Sequence, residues 1–201
     1  MGLWGSTQAN PSKPKFLPVD ENAPWKKQDV YATNSGWVQR SGTKATGNDN
    51  VNATPEVLVA IGGLAGTSAT TGLRTASVTH VRWVTTAPTS AASTLTAEVT
   101  WDEAVTVAGS PQLTVRNGGE GPGSAADIVL TYTATGSTAN RKRFTKAHNN
   151  SLTTGDIVVA PKTGTAVTLN GGTIKDTASA TINSALVFTG VTAATVTTIA
   201  P

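Results

Sequence analysis

Nucleophilic and acid–base catalysis both need a titratable base beside the reacting group, and this chain offers few. It holds two histidines, His80 and His148, and no cysteine. In residues 78–84 His80 and Arg82 alternate with Val81 and Trp83, which places His80 on the outer side of a strand. His148 lies in Ala147-His148-Asn149-Asn150, a polar loop. No Gly-x-Ser-x-Gly or His-Glu-x-x-His stretch occurs. Asp102-Glu103 is an adjacent acidic pair, but neighbours on a strand point to opposite faces. The two cannot flank one substrate, and a turn-forming role suits them better. Asn48-Asp49-Asn50, Asn52 and Asp176 offer oxygen ligands for calcium. The alternating acids and closing Glu of an EF-hand loop are missing, and Asx turns explain these residues more simply. Without cysteine there are no disulfides and no thiolate metal sites. The expectation is therefore no enzyme, no catalytic residue, no cofactor and no bound metal.

What must carry any function is a set of strands. Residues 93–101 read Ser-Thr-Leu-Thr-Ala-Glu-Val-Thr-Trp. Leu95, Ala97, Val99 and Trp101 share one face, and Thr94, Thr96, Glu98 and Thr100 share the other, expected to be wet. The alternation returns with Ile128, Leu130 and Tyr132, and more weakly with Leu113 and Val115. Further strands are expected at 77–85, 104–107, 112–116, 127–133, 142–146, 156–160, 166–169 and 186–189. Turn signals such as Asn117-Gly118-Gly119, Gly136-Ser137 and Asn170-Gly171-Gly172 separate them. Repeated half-buried strands at this spacing predict an all-β, immunoglobulin-like antiparallel sandwich.

Length allows one ordinary domain with an appendage, or two small ones: 201 residues, 38% hydrophobic and only 13% charged. The net charge of +3 is too small to suggest nucleic-acid binding, because no dense basic run is interleaved with aromatics. Arg141-Lys142-Arg143 with Lys146 is expected at a solvated turn and strand edge, where charge blocks edge-to-edge pairing. No apolar run is long enough for a transmembrane helix, so no membrane partner is expected. The polar, Pro-rich start lacks the apolar core of a secretory signal.

Residues 1–72 differ from the rest. They carry Trp4, Trp25 and Trp37, three of the five tryptophans, and five prolines at 11, 14, 18, 24 and 55. Proline at this density prevents helix and disfavours central strands. Trp4, Phe16, Leu17 and Trp25 are expected as anchors on an extended arm. Residues 31–40, with Trp37, and the apolar 57–61 are expected to form a hairpin or small sheet. The predicted organisation is 1–72 as arm and small β attachment module, 73–190 as sandwich, and 191–201 as a last strand or tail.

Two resemblances give this plan a context. The run 96–115, Leu-Thr-Tyr-Thr-Ala-Thr-Gly-Ser at 130–137, Thr-Gly-Asp-Ile at 154–157 and Leu-Asn-Gly-Gly-Thr-Ile-Lys-Asp at 169–176 resemble bacterial immunoglobulin-like repeats of large cell-surface proteins. Thr177-Ala178-Ser179 departs from the Gly-Asn turn that usually follows. That resemblance implies a sandwich and no catalysis. Leu3-Trp4-Gly5, residues 13–18, Tyr31-Ala32-Thr33, Gly36-Trp37-Val38 with Arg40, and residues 56–64 resemble small virion structural proteins of tailed bacteriophages, especially those infecting cyanobacteria and other marine bacteria. This implies a virion part assembled in the host cytoplasm, most simply a capsid decoration (cement) protein. It would dock on the major capsid protein or another virion protein through Trp4, Phe16, Leu17, Trp25 and Trp37. The sandwich would project outward, and homo-oligomers are compatible with this plan. A neck or tail component is the first alternative. A glycan-binding cell-surface adhesion module is the second, although the expected sandwich shows no exposed aromatic platform for it.

Overall fold

The computed structural model describes residues 27–43, 46–47, 49–66, 72–73, 75–85, 93–117, 128–148, 157–159, 167–178 and 197–198. Trp4, Phe16, Leu17, Trp25, the arm that carries them and the strand expected at 186–189 lie outside the described residues.

The fold is all-β and antiparallel, a β-sandwich as the alternation implies. A 3-10 turn, Lys27–Asp29, leads into β1 (Val30–Thr33), β2 (Gly36–Gln39) and β3 (Glu56–Ala60). Then follow β4 (Val78–Trp83), β5 (Ser93–Trp101), β6 (Val105–Ala108), β7 (Gln112–Asn117), β8 (Ile128–Thr133) and β9 (Arg141–His148). The short strands β10 (Ile157–Val159), β11 (Val167–Thr168), β12 (Thr173–Asp176) and β13 (Thr197–Thr198) complete the set. One sheet has the order β1-β2-β3. A larger one runs β13-β10-β7-β8-β9-β5-β4, with β11 also on β7, and β12 pairs with β6.

By contacts the chain divides into two compact units that are interleaved rather than consecutive. The first gathers Met1–Ser77, Trp101–Thr106 and Lys175–Ser184; the second gathers Val78–Thr100, Val107–Ile174 and Ala185–Pro201. The consecutive division expected at residue 72 assigns residues 101–106 to the sandwich alone. Hydrogen bonds instead tie this stretch to β1: Ala32 N donates to the Asp102 carbonyl at 2.7 Å, and Ala32 bridges Glu103.

In the first unit, β1 and β2 form a tight hairpin inside the stretch read as one strand. Thr33-Asn34-Ser35-Gly36 makes the turn, with Ser35 N bonded to Thr33 Oγ1 at 3.2 Å. Gly36 has φ 125°, and a Cβ there would run into the Val59 carbonyl on β3. Only glycine allows both the φ and the approach. The core here is Val30, Ala32, Trp37, Leu64 and Ala65, with Leu58, Val59, Ile61 and Leu73 packed against it. Trp37 is 1% exposed. Its expected docking role is corrected: the indole holds the module together, because the turn at Gly36 directs it inward, opposite Val59.

In the second unit the expected apolar face is realised. Leu95, Ala97, Val99, Leu113, Val115, Leu130 and Phe144 are fully buried. Phe144 meets Tyr132 edge to face, with ring centroids 6.2 Å apart. The opposite face of β5 departs from expectation. Thr94 is exposed, but Glu98 and Thr100 are buried. The basic run departs as well. Strand β9 lies between β8 and β5, so Arg141-Lys142-Arg143 is central rather than an edge. Arg141 and Lys142 are buried. A strand flanked on both sides can carry such charge only if partners neutralise or bond it.

Candidate functional site

Glu98 sits mid-strand on β5, opposite Arg143 of β9 in the antiparallel register, with Thr100 opposite Arg141. On the other side of β5, Arg82 of β4 reaches the same carboxylate. Arg82 Nε donates to Glu98 Oε1 at 3.0 Å, and its Nη2 also lies 3.0 Å from that oxygen. Arg141 Nη1 stands 3.4 Å from Oε1, and Arg143 Nε donates to Oε2 at 3.3 Å. Burial pushes the Glu98 carboxyl up, but the guanidiniums of Arg141, Arg82 and Arg143 outweigh it and hold it below its usual range. Three guanidiniums from two strands thus converge on one carboxylate. The Arg141 side chain is 4% exposed, whereas those of Arg82 and Arg143 are 28% and 32% exposed.

The turn before β9 fixes Arg143. Ser137 Oγ donates to the Thr133 carbonyl at 2.7 Å and accepts Arg143 N at 2.9 Å. Gly136, at φ 72°, lies against the Arg143 guanidinium, which a Cβ there would strike. On the core side of the same strand, Lys142 Nζ donates to the Thr138 carbonyl at 2.7 Å. Burial lowers the Lys142 ammonium to about 8.

A second polar cluster lies in the first unit. Glu103 is fully buried and Asp176, at the end of β12, is 1% exposed. Asp176 Oδ1 accepts Ala178 N at 2.8 Å, an Asx turn as the sequence suggests. Among the described residues, no donor reaches Asp176 Oδ2 or either Glu103 oxygen. Burial, then the charges of Asp176 and Asp102, push the Glu103 carboxyl up to about 9. Glu103 is therefore protonated at neutral pH, and its own hydrogen supplies the bond to Asp176. The expectation that Asp102 and Glu103 merely form a turn is corrected. Asp102 Oδ1 accepts Ser77 N at 2.6 Å, and its carbonyl accepts Ala32 N, so it clamps two segments. Glu103 finds its acidic partner across the fold instead.

Asn50 Oδ1 accepts Asn52 N at 3.0 Å, the Asx turn expected of that loop. Among the described residues, no group of three or more His, Cys, Asp or Glu side chains is placed to hold a metal ion. His80 lies on β4 two residues from Arg82, half-buried, and His148 ends β9 rather than lying in a loop. The structure thus gathers residues from β4, β5 and β9 that the sequence left scattered. Arg82, Arg141 and Arg143 signal nothing until strand register sets them around Glu98.

The third surface feature is β3. Among the described residues it pairs with β2 alone. In its run Glu-Val-Leu-Val-Ala, Leu58 and Val59 are partly buried against the core, Glu56, Val57 (48% exposed) and Ala60 are exposed, and Val51 before it is 66% exposed.

Comparison with family profiles, curated proteins and solved structures returned no match.

Proposed function

We propose that this chain is a non-enzymatic structural subunit of a virion, a capsid decoration protein that docks on the shell through its first unit and presents its sandwich outward. The observation that supports this reading best is β3, an apolar strand whose outer edge has no partner among the described residues. An exposed apolar edge offers a row of main-chain donors and acceptors to an incoming strand. That suits permanent docking on a protein lattice better than encounter with small molecules. Trp37, being core, takes no part in the docking surface. The resemblance of residues 1–64 to virion proteins supplies the partner class, the major capsid protein or a neighbouring virion protein. Trp4, Phe16, Leu17 and Trp25 remain the sequence's contribution to the docking segment. Assembly in the host cytoplasm follows from the same reading.

The test is co-sedimentation of full-length protein with undecorated heads, together with quantitative mass spectrometry of purified particles. Hundreds of copies per particle support decoration, and about a dozen favour the neck or tail alternative. Val57→Lys puts a charge on the exposed edge and should sharply reduce co-sedimentation while leaving the thermal melt nearly unchanged. Absence of the chain from particles, with no co-sedimentation of the native protein, would overturn the reading.

A further inference from the structure

The three-stranded sheet of the first unit has two edges, and they differ. The outer edge of β1 is engaged: Ala32 N donates to the Asp102 carbonyl at 2.7 Å, and Ala32 bridges Glu103 in parallel. The outer edge of β3 meets no further strand among the described residues. Val57 on this strand and Val51 in the turn before it are the most exposed large apolar side chains among the described residues. Sheet edges are usually guarded by lysine, inward charge, proline or a bulge. Here Pro55 closes the start of the strand. The register with β2 shifts between Trp37 and Val38, which leaves Leu58 with no residue opposite it on β2. Within Glu56–Ala60 no residue carries a positive charge, and Glu56 carries the one negative charge.

We propose that β3 pairs antiparallel with β3 of a second copy of this chain, so that the free protein covers its own docking edge until it meets the shell. The pairing stands on the edge alone; only its role as a cover rests on the virion reading. The charge pattern fits a second copy. Pairing across a two-fold axis sets Glu56 of each copy opposite Ala60 of the partner subunit, and Val57 opposite Val59 of the partner subunit. The two carboxylates then lie at opposite ends of the ladder, roughly 13 Å apart along it. Parallel pairing would instead set Glu56 against its own like charge, which is destabilising. The edge of β1 is already taken, so each copy has one open edge of this sheet among the described residues. Pairing therefore closes at two chains, whereas a sheet open at both edges would grow into filaments. A ladder of five residues buries far less than the ~1,200–2,000 Å² of a stable interface. The pair is accordingly weak and exchanges readily, as an edge that is later given up to the shell requires.

The experiment is sedimentation velocity of the full chain, without heads, from roughly 10 μM to 1 mM. The mass should rise from one chain to two and no further. Hydrogen exchange at the two ends of this range should show added protection at residues 56–60 in the concentrated sample. Val57→Lys and Val57→Glu should each remain monomeric, because the two copies' side chains at this position are diagonal neighbours about 7–8 Å apart. Mixed in equal amounts, the two variants should pair at least about tenfold more tightly than either alone, which a folding defect cannot imitate. If either variant melts early, the exchange pattern of the native chain decides. A native chain that stays monomeric throughout, growth beyond two chains, protection confined to other strands, or no recovery on mixing two well-folded variants would overturn the pairing. The two readings fail separately: loss of pairing with intact co-sedimentation on heads removes this inference alone, and pairing without co-sedimentation removes the decoration role alone.

Discussion

The buried carboxyl pair makes a pH dependence that can be worked out in advance. Glu103 ordinarily titrates at 4.5 and is pushed up to about 9 in the folded chain, by burial and then by Asp176 and Asp102. Between those two values the folded state holds a proton that the unfolded state has released. Stability therefore falls as pH rises through this window, by up to about 1.4 kcal/mol per pH unit. From pH 5 to pH 8 the loss from this group is at most about 4 kcal/mol. For a domain of this size that is roughly 5–15 °C in Tm. The neighbouring shifts leave the window clear. Glu98 is held low, so its contribution is lost only as pH falls below its ordinary 4.5. Lys142 is lowered to about 8, so its contribution changes above that value and with the opposite sign. Glu103→Gln replaces the protonated carboxyl with an amide of the same shape that can still donate to Asp176. Urea unfolding followed by tryptophan fluorescence at several pH values should give the variant near-native stability at pH 5 and greater stability than the native chain at pH 8. Comparing the two slopes cancels every other titrating group. Parallel slopes for the native chain and Glu103→Gln would refute the raised, buried Glu103 carboxyl.

Trp37→Ala should cost about 3–5 kcal/mol, as expected of a core indole, measured by thermal melting; a loss under about 1 kcal/mol would return Trp37 to the surface. Lys142→Met removes an ammonium that the folded state disfavours below about pH 8. Its loss of the bond to Thr138 is offset by relief of desolvation. The variant should match or exceed native stability at pH 7 by up to about 2 kcal/mol. That advantage should shrink as pH rises from 8 towards 10.5, where native Lys142 folds neutral; a melt series across that range reads it.

The sequence by itself determined the strands. Alternation on β5 and β8 fixed which residues are core, because a period of two leaves no other face for Leu95, Ala97, Val99 and Leu130. The turn residues, Asn-Gly-Gly and Gly-Ser among them, marked where strands end, since backbone preferences are local. Asx turns at Asn50 and Asp176 were legible for the same reason. The hairpin within β1 and β2 was missed, although Asn34-Ser35-Gly36 marked it, because the apolar residues on both sides read as one continuous strand. What only the tertiary structure decided was partnership. Strand order put β9 in the middle of its sheet, so of a basic run expected at an edge Arg141 is buried against Glu98, Arg143 reaches the same carboxylate from a partly exposed position, and Lys142 turns to the core side. Pairing of β12 with β6 brought Asp176 near Glu103, far apart in the chain, and burial together with the Asp176 charge pushes the Glu103 carboxyl up. Trp37, read as an anchor, became core once the turn at Gly36 aimed it inward. Charge and burial are properties of neighbours in space, and spacing along the chain cannot specify which strands become neighbours.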